Sequence, residues 1–297
     1  MKRKMAGLAI VLAAAVPRAF AAPPDIVYVA YNGLDTHPCT RARPCRTITH
    51  ALSLVAAAGA VEIVGSGTYD TFTISKAVTV EAEPGAVAVI QVPSAGTGIT
   101  VSAASTDVVN FRRLILNGTG GTGVGFQIGS AGRIVVEDCV SRSFAYGLGF
   151  GPVGPSDLKI SGGIFEGSNT AIYIAGTGNV VAVVDAVTVY GGSYAGIEAS
   201  AAQTTITHSF VTGDGARGNG ILSNSGTVVL EDDVVSRWSV GVFAGFSGAV
   251  TYLSGCTITD NGEGVEASNV TYTRGNNTIV ANNFGDVFGT LTPFSGR

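Results

Sequence analysis

The stretch AIYIAGTGNVVAVVDAVTVYGGSYAGIEA, Ala171 to Ala199, decides the fold. Ile172 and Ile174 flank Tyr173, so apolar residues fall at every second position, the period of a strand with one buried face. Val183-Val184 forms a second short apolar stretch. Gly196-Ile197 then repeats the small-residue-plus-aliphatic pair of Ala171-Ile172. The same pair recurs at Gly98-Ile99, Gly123-Val124, Gly147-Leu148, Gly220-Ile221, Gly241-Val242 and Gly264-Val265, with a weaker copy ending at Val287, in steps of 21 to 25 residues. About 12 residues before most copies lies the second stretch, as in Ile134-Val135-Val136, Leu158-Lys159-Ile160 and Val228-Val229-Leu230. Each unit therefore supplies two or three short strands separated by Gly/Asn/Ser turns. One unit cannot bury its apolar face alone, whereas a stack of units can.

A propeller blade needs about 40 residues or more, which this period excludes. Leucine-rich repeats have a compatible period but need a Leu/Asn consensus, and Leu is rare here. A right-handed parallel β-helix of about nine to ten coils fits the steps, the tolerance of one or two extra residues per turn and the Gly, Val, Ile and Ser content. Counting back nine residues from the aliphatic position puts Cys139, Gly163, Asp233 and Cys256 in one column. Cys139 and Cys256 are then five coils, roughly 24 Å, apart and cannot bond to each other.

Composition agrees. Hydrophobic residues make up 46% of the chain and charged residues 13%, which excludes a disordered tail. Glycine, at 42 of 297 residues, argues against a helix bundle. The first 21 residues read as a secretory signal peptide: Lys2, Arg3 and Lys4, then an apolar run from Met5 to Val16, then Ala19-Phe20-Ala21. That run is too short to span a bilayer, and no other apolar run is long enough. Removing it takes four of the 17 basic residues and none of the 21 acidic ones, leaving a mature net charge of −8. Such a chain does not attract phosphate backbones, so nucleic acid is excluded as a partner. The expected location is secreted or periplasmic.

Residues 22–60 read as an amino-terminal cap and residues 61–297 as the β-helix. Within the cap, Cys39 and Cys45 bracket a loop stiffened by Pro38 and Pro44. Export favours a disulfide there; the zinc alternative has only His37 nearby, an incomplete ligand set. Ile48, Ala51, Leu52 and Val55 share one face of a short helix, with Thr47 placed to cap its start and Gly59 its end. Val61-Glu62-Ile63-Val64 is the expected first strand.

The order Pro44-Cys45-Arg46-Thr47-Ile48, helix, Glu62-Ile63-Val64, Gly67-Thr68-Tyr69, Phe72-Thr73-Ile74 and Val78-Thr79-Val80 resembles the amino-terminal cap and first coil of the pectin-lyase-like superfamily of parallel β-helices. Asn32-Gly33-Leu34-Asp35, together with the two cysteines, resembles secreted bacterial members. The resemblance implies the fold. It does not select an activity, because the superfamily includes lyases, hydrolases, esterases and non-catalytic adhesins. The Gly-His-Gly and Arg-Ile-Lys signatures of polygalacturonase-like enzymes are missing, Glu231 precedes the Asp232-Asp233 pair, and Arg217 and Arg237 match no lyase motif.

Two groups of residues remain as candidate sites. Asp185, His208 and Asp232 lie 12, 13 and 10 residues before the aliphatics of three successive coils, with Asp233 adjacent. Stacked, they would form an acid/base set around an imidazole, or hold a cation. On another face Tyr173, Glu198, Leu222, Phe243 and Glu266 follow the aliphatics and point outward, with Tyr146 and Tyr194 leading into the same strand. Aromatic rings beside carboxylates suit saccharide binding. No cofactor is called for, and Ca2+ is the one ion these acids suggest. The sequence thus points to an exported, non-catalytic β-helix that binds polysaccharide or a surface glycan. The alternative is a divergent polysaccharide lyase or glycoside hydrolase with Asp185, His208, Asp232 and Asp233 as its catalytic residues.

Overall fold

Alternating apolar residues and tight turns wind the chain into an all-β parallel β-helix of about nine turns. The computed structural model describes residues 22–294 apart from residues 201, 216 and 246; the predicted signal peptide lies outside the described residues. Each coil contributes three strands. Face A includes Thr170–Ile174, Ala195–Ala199 and Asn219–Ser223; face B includes Val180–Asp185, Ala202–Thr207 and Gly226–Glu231; face C includes Thr188–Tyr190, Phe210–Thr212 and Val234–Ser236. Every strand pairs in parallel with its counterpart one coil on, so equivalent residues stack: Ile172, Ile197, Ile221, Val242 and Val265 form one buried column.

The small residue before each aliphatic has a steric cause. At Gly220 and at Gly241 a Cβ would lie 2.6 Å from the carbonyl oxygen of the glycine one coil on. The corner where face C turns into face A is too narrow for a side chain, and from Gly98 to Gly264 only Ala171 departs from glycine. The pair Gly123-Val124 proves to be misassigned. Val124 stacks on Thr97 and Tyr146, and it is Gly125-Phe126 that joins the column, with Phe126 between Ile99 and Leu148. The turn 118–123 is longer than its neighbours, and Gly120, Gly121 and Gly123 bend it at φ of 79°, 70° and 76°. The sequence repeat slips by two residues there while the spatial repeat holds.

Between faces B and C a left-handed residue recurs at the turn from coil to coil. Asp138, Ala186, His208 and Asp232 adopt φ of 51°, 54°, 50° and 57°, and Gly162 and Gly255 do the same at 68° and 67°. The next residue faces inward. The strand register confirms that Cys139, Gly163, Asp233 and Cys256 share this inward column, together with Val187, Ser209 and Asn277. Cys139 and Cys256 are buried free thiols, and burial raises their pKa to about 12 and about 11.

The amino-terminal opening is covered as expected. The helix spans Ile48–Leu54; Thr47 Oγ1 accepts the His50 N–H, and Ile48, Ala51 and Leu52 are buried. It ends at Val55, not Gly59, whose missing Cβ instead makes room for the Asp25 carbonyl 2.5 Å away. The first strand is Ile26–Val29, ahead of the Ala60–Ile63 strand with which it pairs. Cys39 and Cys45 form the disulfide, and their loop is tied to that strand by the Tyr28 N–H on the Cys39 carbonyl (2.8 Å) and the Ala30 N–H on the Cys45 carbonyl (2.9 Å). His50, not His37, brings a ring nitrogen within 4.8 Å of both sulfurs; with the disulfide closed neither sulfur is a thiolate ligand.

Gly220→Val places a branched side chain in the corner and should destabilise the fold by about 1–3 kcal/mol, lowering Tm by roughly 3–10 °C. Thermal melts followed by circular dichroism measure this. An unchanged Tm would show that the corner is not close-packed.

Candidate functional site

The outward column predicted on face A is real. Tyr173, Glu198, Leu222, Phe243 and Glu266 occupy successive coils at equivalent positions. One coil before Tyr173, Tyr146 packs its ring 5.6 Å from the Tyr173 ring at 49°. Glu198 is outward in register yet only 8% exposed, and Leu222 beside it is 1% exposed. Asn224 Nδ2 donates to Glu198 Oε1 and, at 3.1 Å, to Ser200 Oγ. Burial raises the Glu198 pKa while the Asn224 hydrogen bond opposes that rise. Glu198 is close enough to Tyr173 and Tyr194 for its charge to add to the rise that burial causes in both phenols. The result is a single sheltered carboxyl beside three tyrosines. Tyr146 and Tyr194 remain 38% and 45% exposed, so ring surface is open to a ligand.

Phe243 and Glu266 continue the column but form no part of this group. The Phe243 ring lies over Gly245, where any Cβ would collide with it. Glu266 Oε1 accepts a 3.2 Å hydrogen bond from Ser268 Oγ, three coils from Glu198. Asn224 and Ser200 are the site residues that sequence reasoning missed. Their only signal was a polar residue two places after the outward position in consecutive coils.

The second predicted group comes together only in part. Asp185 stacks on Thr207 and Glu231, whereas His208 and Asp232 sit one residue later, at the left-handed turn position. The unequal offsets of 12, 13 and 10 residues reflect that one-residue difference together with turn length, six residues before Asn219 and three before Val240 against four before Ala195. Asp185 still reaches sideways. Its Oδ1 accepts from Thr207 Oγ1 (2.8 Å) and lies 3.0 Å from His208 Nδ1. That contact, more than the charges of Asp232 and Asp233, raises the His208 pKa, and with Thr207 it holds Asp185 below the usual carboxylate range. The His208 side chain is 64% exposed, so nothing here excludes water from a reacting bond.

Asp233 points the other way, into the core, and is 1% exposed. Its Oδ1 accepts the Ser209 N–H at 2.8 Å, while Oδ2 has no partner among the described residues. Burial pushes its pKa to about 7. The same column shows what this position favours: Asn277 accepts the Cys256 N–H on Oδ1 and donates from Nδ2 to the Leu253 carbonyl. A protonated Asp233 has the same acceptor-plus-donor pattern, so its role is to pair a corner amide.

Toward the carboxy-terminal end of face B, Tyr252 and Tyr272 stack at 4.9 Å, Phe294 packs edge-on against both, and Arg274 lies 5.5 Å over the Phe294 ring. Tyr252, Arg274 and Phe294 also line, with Glu231 and Ser254, an open cavity of about 230 Å³.

No protein-family model and no curated protein sequence matches the chain. Solved structures do. Pectate lyase Pel9A superposes with a TM-score of 0.55 over 89% of this chain and 78% of that one, at 14% identity. The complex of XylC with xylose gives 0.50 over 88% and 66% at 12% identity, and a rhamnogalacturonan lyase gives 0.47 over 83% and 75% at 13% identity. At these identities the likeness is one of fold: the chain has the parallel β-helix architecture of pectin-lyase-like proteins.

The folded-state pKa of Asp233, about 7, lies above its unfolded value of about 3.9. The folded protein therefore binds this proton more tightly. The associated stability is fully present below about pH 4 and is lost as pH rises through about 7. Asp233→Asn should remove that loss, raising Tm at pH 8.5 by roughly 5 °C and changing it little at pH 4. Equal slopes of Tm against pH in the two proteins would contradict the assignment.

Proposed function

We propose that the protein is exported and binds polysaccharide, or a glycan on a cell surface, along face A without cleaving it. The observation that carries this is the group of Tyr146, Tyr173 and Tyr194 around the sheltered Glu198. Ring faces of this kind take the CH face of a pyranose, and a carboxylate and an amide side by side hydrogen-bond to its hydroxyls. The continuous face of stacked coils suits a polymer. The pectate lyase named above acts on such a polymer, which supports the class of ligand and nothing finer.

Binding is favoured over cleavage because the acids do not pair. On face A the Glu198 and Glu266 positions are three coils apart, about 14 Å, against roughly 6.5–9.5 Å for an inverting pair of carboxyl groups. On the B–C turn Asp185 and His208 stand on an open surface while Asp233 faces the core. Export rests on the signal-like pattern of residues 1–21 and agrees with the Cys39–Cys45 disulfide.

Affinity electrophoresis against a panel of plant, algal and bacterial polysaccharides should show retardation by at least one. Tyr173→Ala combined with Tyr194→Ala should weaken it about tenfold or more, on the scale of two lost ring contacts. No new reducing ends and no unsaturated-uronate absorbance should appear on long incubation. If either product accumulates, and His208→Ala abolishes it, the lyase or hydrolase alternative replaces this one.

A further inference from the structure

Parallel register makes the charge of a whole face readable. The two outward columns of face A run from Thr97 to Gly285 and from Thr100 to Phe288. They contain the carboxylates of Glu198, Glu263 and Glu266, and no Lys or Arg. The ion-paired arginines lie away from this face. Arg112 pairs with Glu137, Arg113 with Glu81 and Arg142 with Glu166, all on faces B and C or the turn between them, and Arg41 pairs with Glu83 at the cap. The cations nearest to face A along the chain are Lys76, two residues after the strand Phe72–Ile74 that pairs with Thr97–Ser102, and Arg217 and Arg237, in the turns that lead into the face.

A polyuronate carries a carboxylate on each sugar. Laid on face A it would meet three like charges and find no guanidinium on the face to pair with, and its carboxylates would lose water without compensation. The mature net charge of −8 adds repulsion at longer range. A neutral sugar needs only what the face offers: ring faces from the tyrosines, and hydrogen-bond partners from Glu198, Asn224 and the Tyr hydroxyls. We infer that face A selects an uncharged polysaccharide and rejects polyuronates. This rests on the saccharide-binding function above and specifies its ligand class.

The test uses one polymer in two charge states. Fully methyl-esterified and fully de-esterified homogalacturonan of matched length share a backbone and differ only at the C6 carboxyl, a neutral methyl ester in one and a carboxylate in the other. A set of neutral xylans, galactans and β-glucans runs beside them. Titration calorimetry is done on the mature protein at 20 and 150 mM salt, once with chelator and once with Ca2+, since calcium bridging is the one route by which two acidic partners bind. The expected result is binding to at least one neutral or esterified polymer, at least tenfold tighter than to the de-esterified one and unchanged by salt. Glu263→Arg with Glu266→Arg, both at outward positions, should raise affinity for the de-esterified form at low salt. Equal or tighter binding of de-esterified polymer to the native protein, with or without Ca2+, overturns the inference while leaving the saccharide-binding function standing. Binding to none of the polymers overturns that function, and the inference with it.

Discussion

The corner between faces C and A is the constraint on which the rest of the structure depends. There each coil lies so close to the next that a Cβ at Gly220 or Gly241 would sit 2.6 Å from a neighbouring carbonyl oxygen. Keeping that column to glycine, with Ala171 the one exception, lets the backbones stack at the parallel-sheet spacing, and the stacking fixes the register of all three faces. Because register is fixed, side chains separated by 21 to 27 residues in sequence become neighbours in space. Tyr146 meets Tyr173, and Asn224 meets Glu198, only through this arrangement.

The same logic explains the polar groups inside. Several left-handed B–C turns leave an amide that the strand ladder does not satisfy, and there the following coil supplies a side-chain acceptor. Ser209 Oγ takes the Val187 N–H, Asp233 Oδ1 takes the Ser209 N–H, and Asn277 Oδ1 takes the Cys256 N–H. At the C–A turn, Asn261 and Asn282 do likewise for Trp238 and Asn261. A buried amide without a partner would cost about 1–3 kcal/mol, so these residues are structural. Asp233 is one of them, and its raised pKa reflects burial in a position that Asn also fills.

Much of this was legible in the sequence because the repeat is written in residue types that each have a steric reason. Ile172, Ile197 and Ile221 gave the column, and the counting that grouped Cys139 with Asp233 and Cys256 was correct. Legibility failed where the turn length changed. The extra residues at 118–123 shifted the apparent repeat onto Val124, although Phe126 is the residue that packs. A one-residue difference at the left-handed turn separated Asp185 from the column of His208 and Asp232 and turned Asp233 inward. The outward column of Tyr173 and Glu198 was read correctly, because it depends only on alternation within a strand. The burial of Glu198 was not legible: it arises from neighbours in other coils, Asn224 among them, that no local pattern connects to it.

Recognition on face A is the central claim, and its location is directly measurable. Amide hydrogen exchange, followed by mass spectrometry with and without a neutral oligosaccharide that the protein binds, maps the covered surface. The account predicts added protection in peptides spanning 146–150, 170–174, 194–200 and 219–224, with faces B and C unchanged. Protection centred on residues 185–187 and 207–209, around Asp185 and His208, would contradict it.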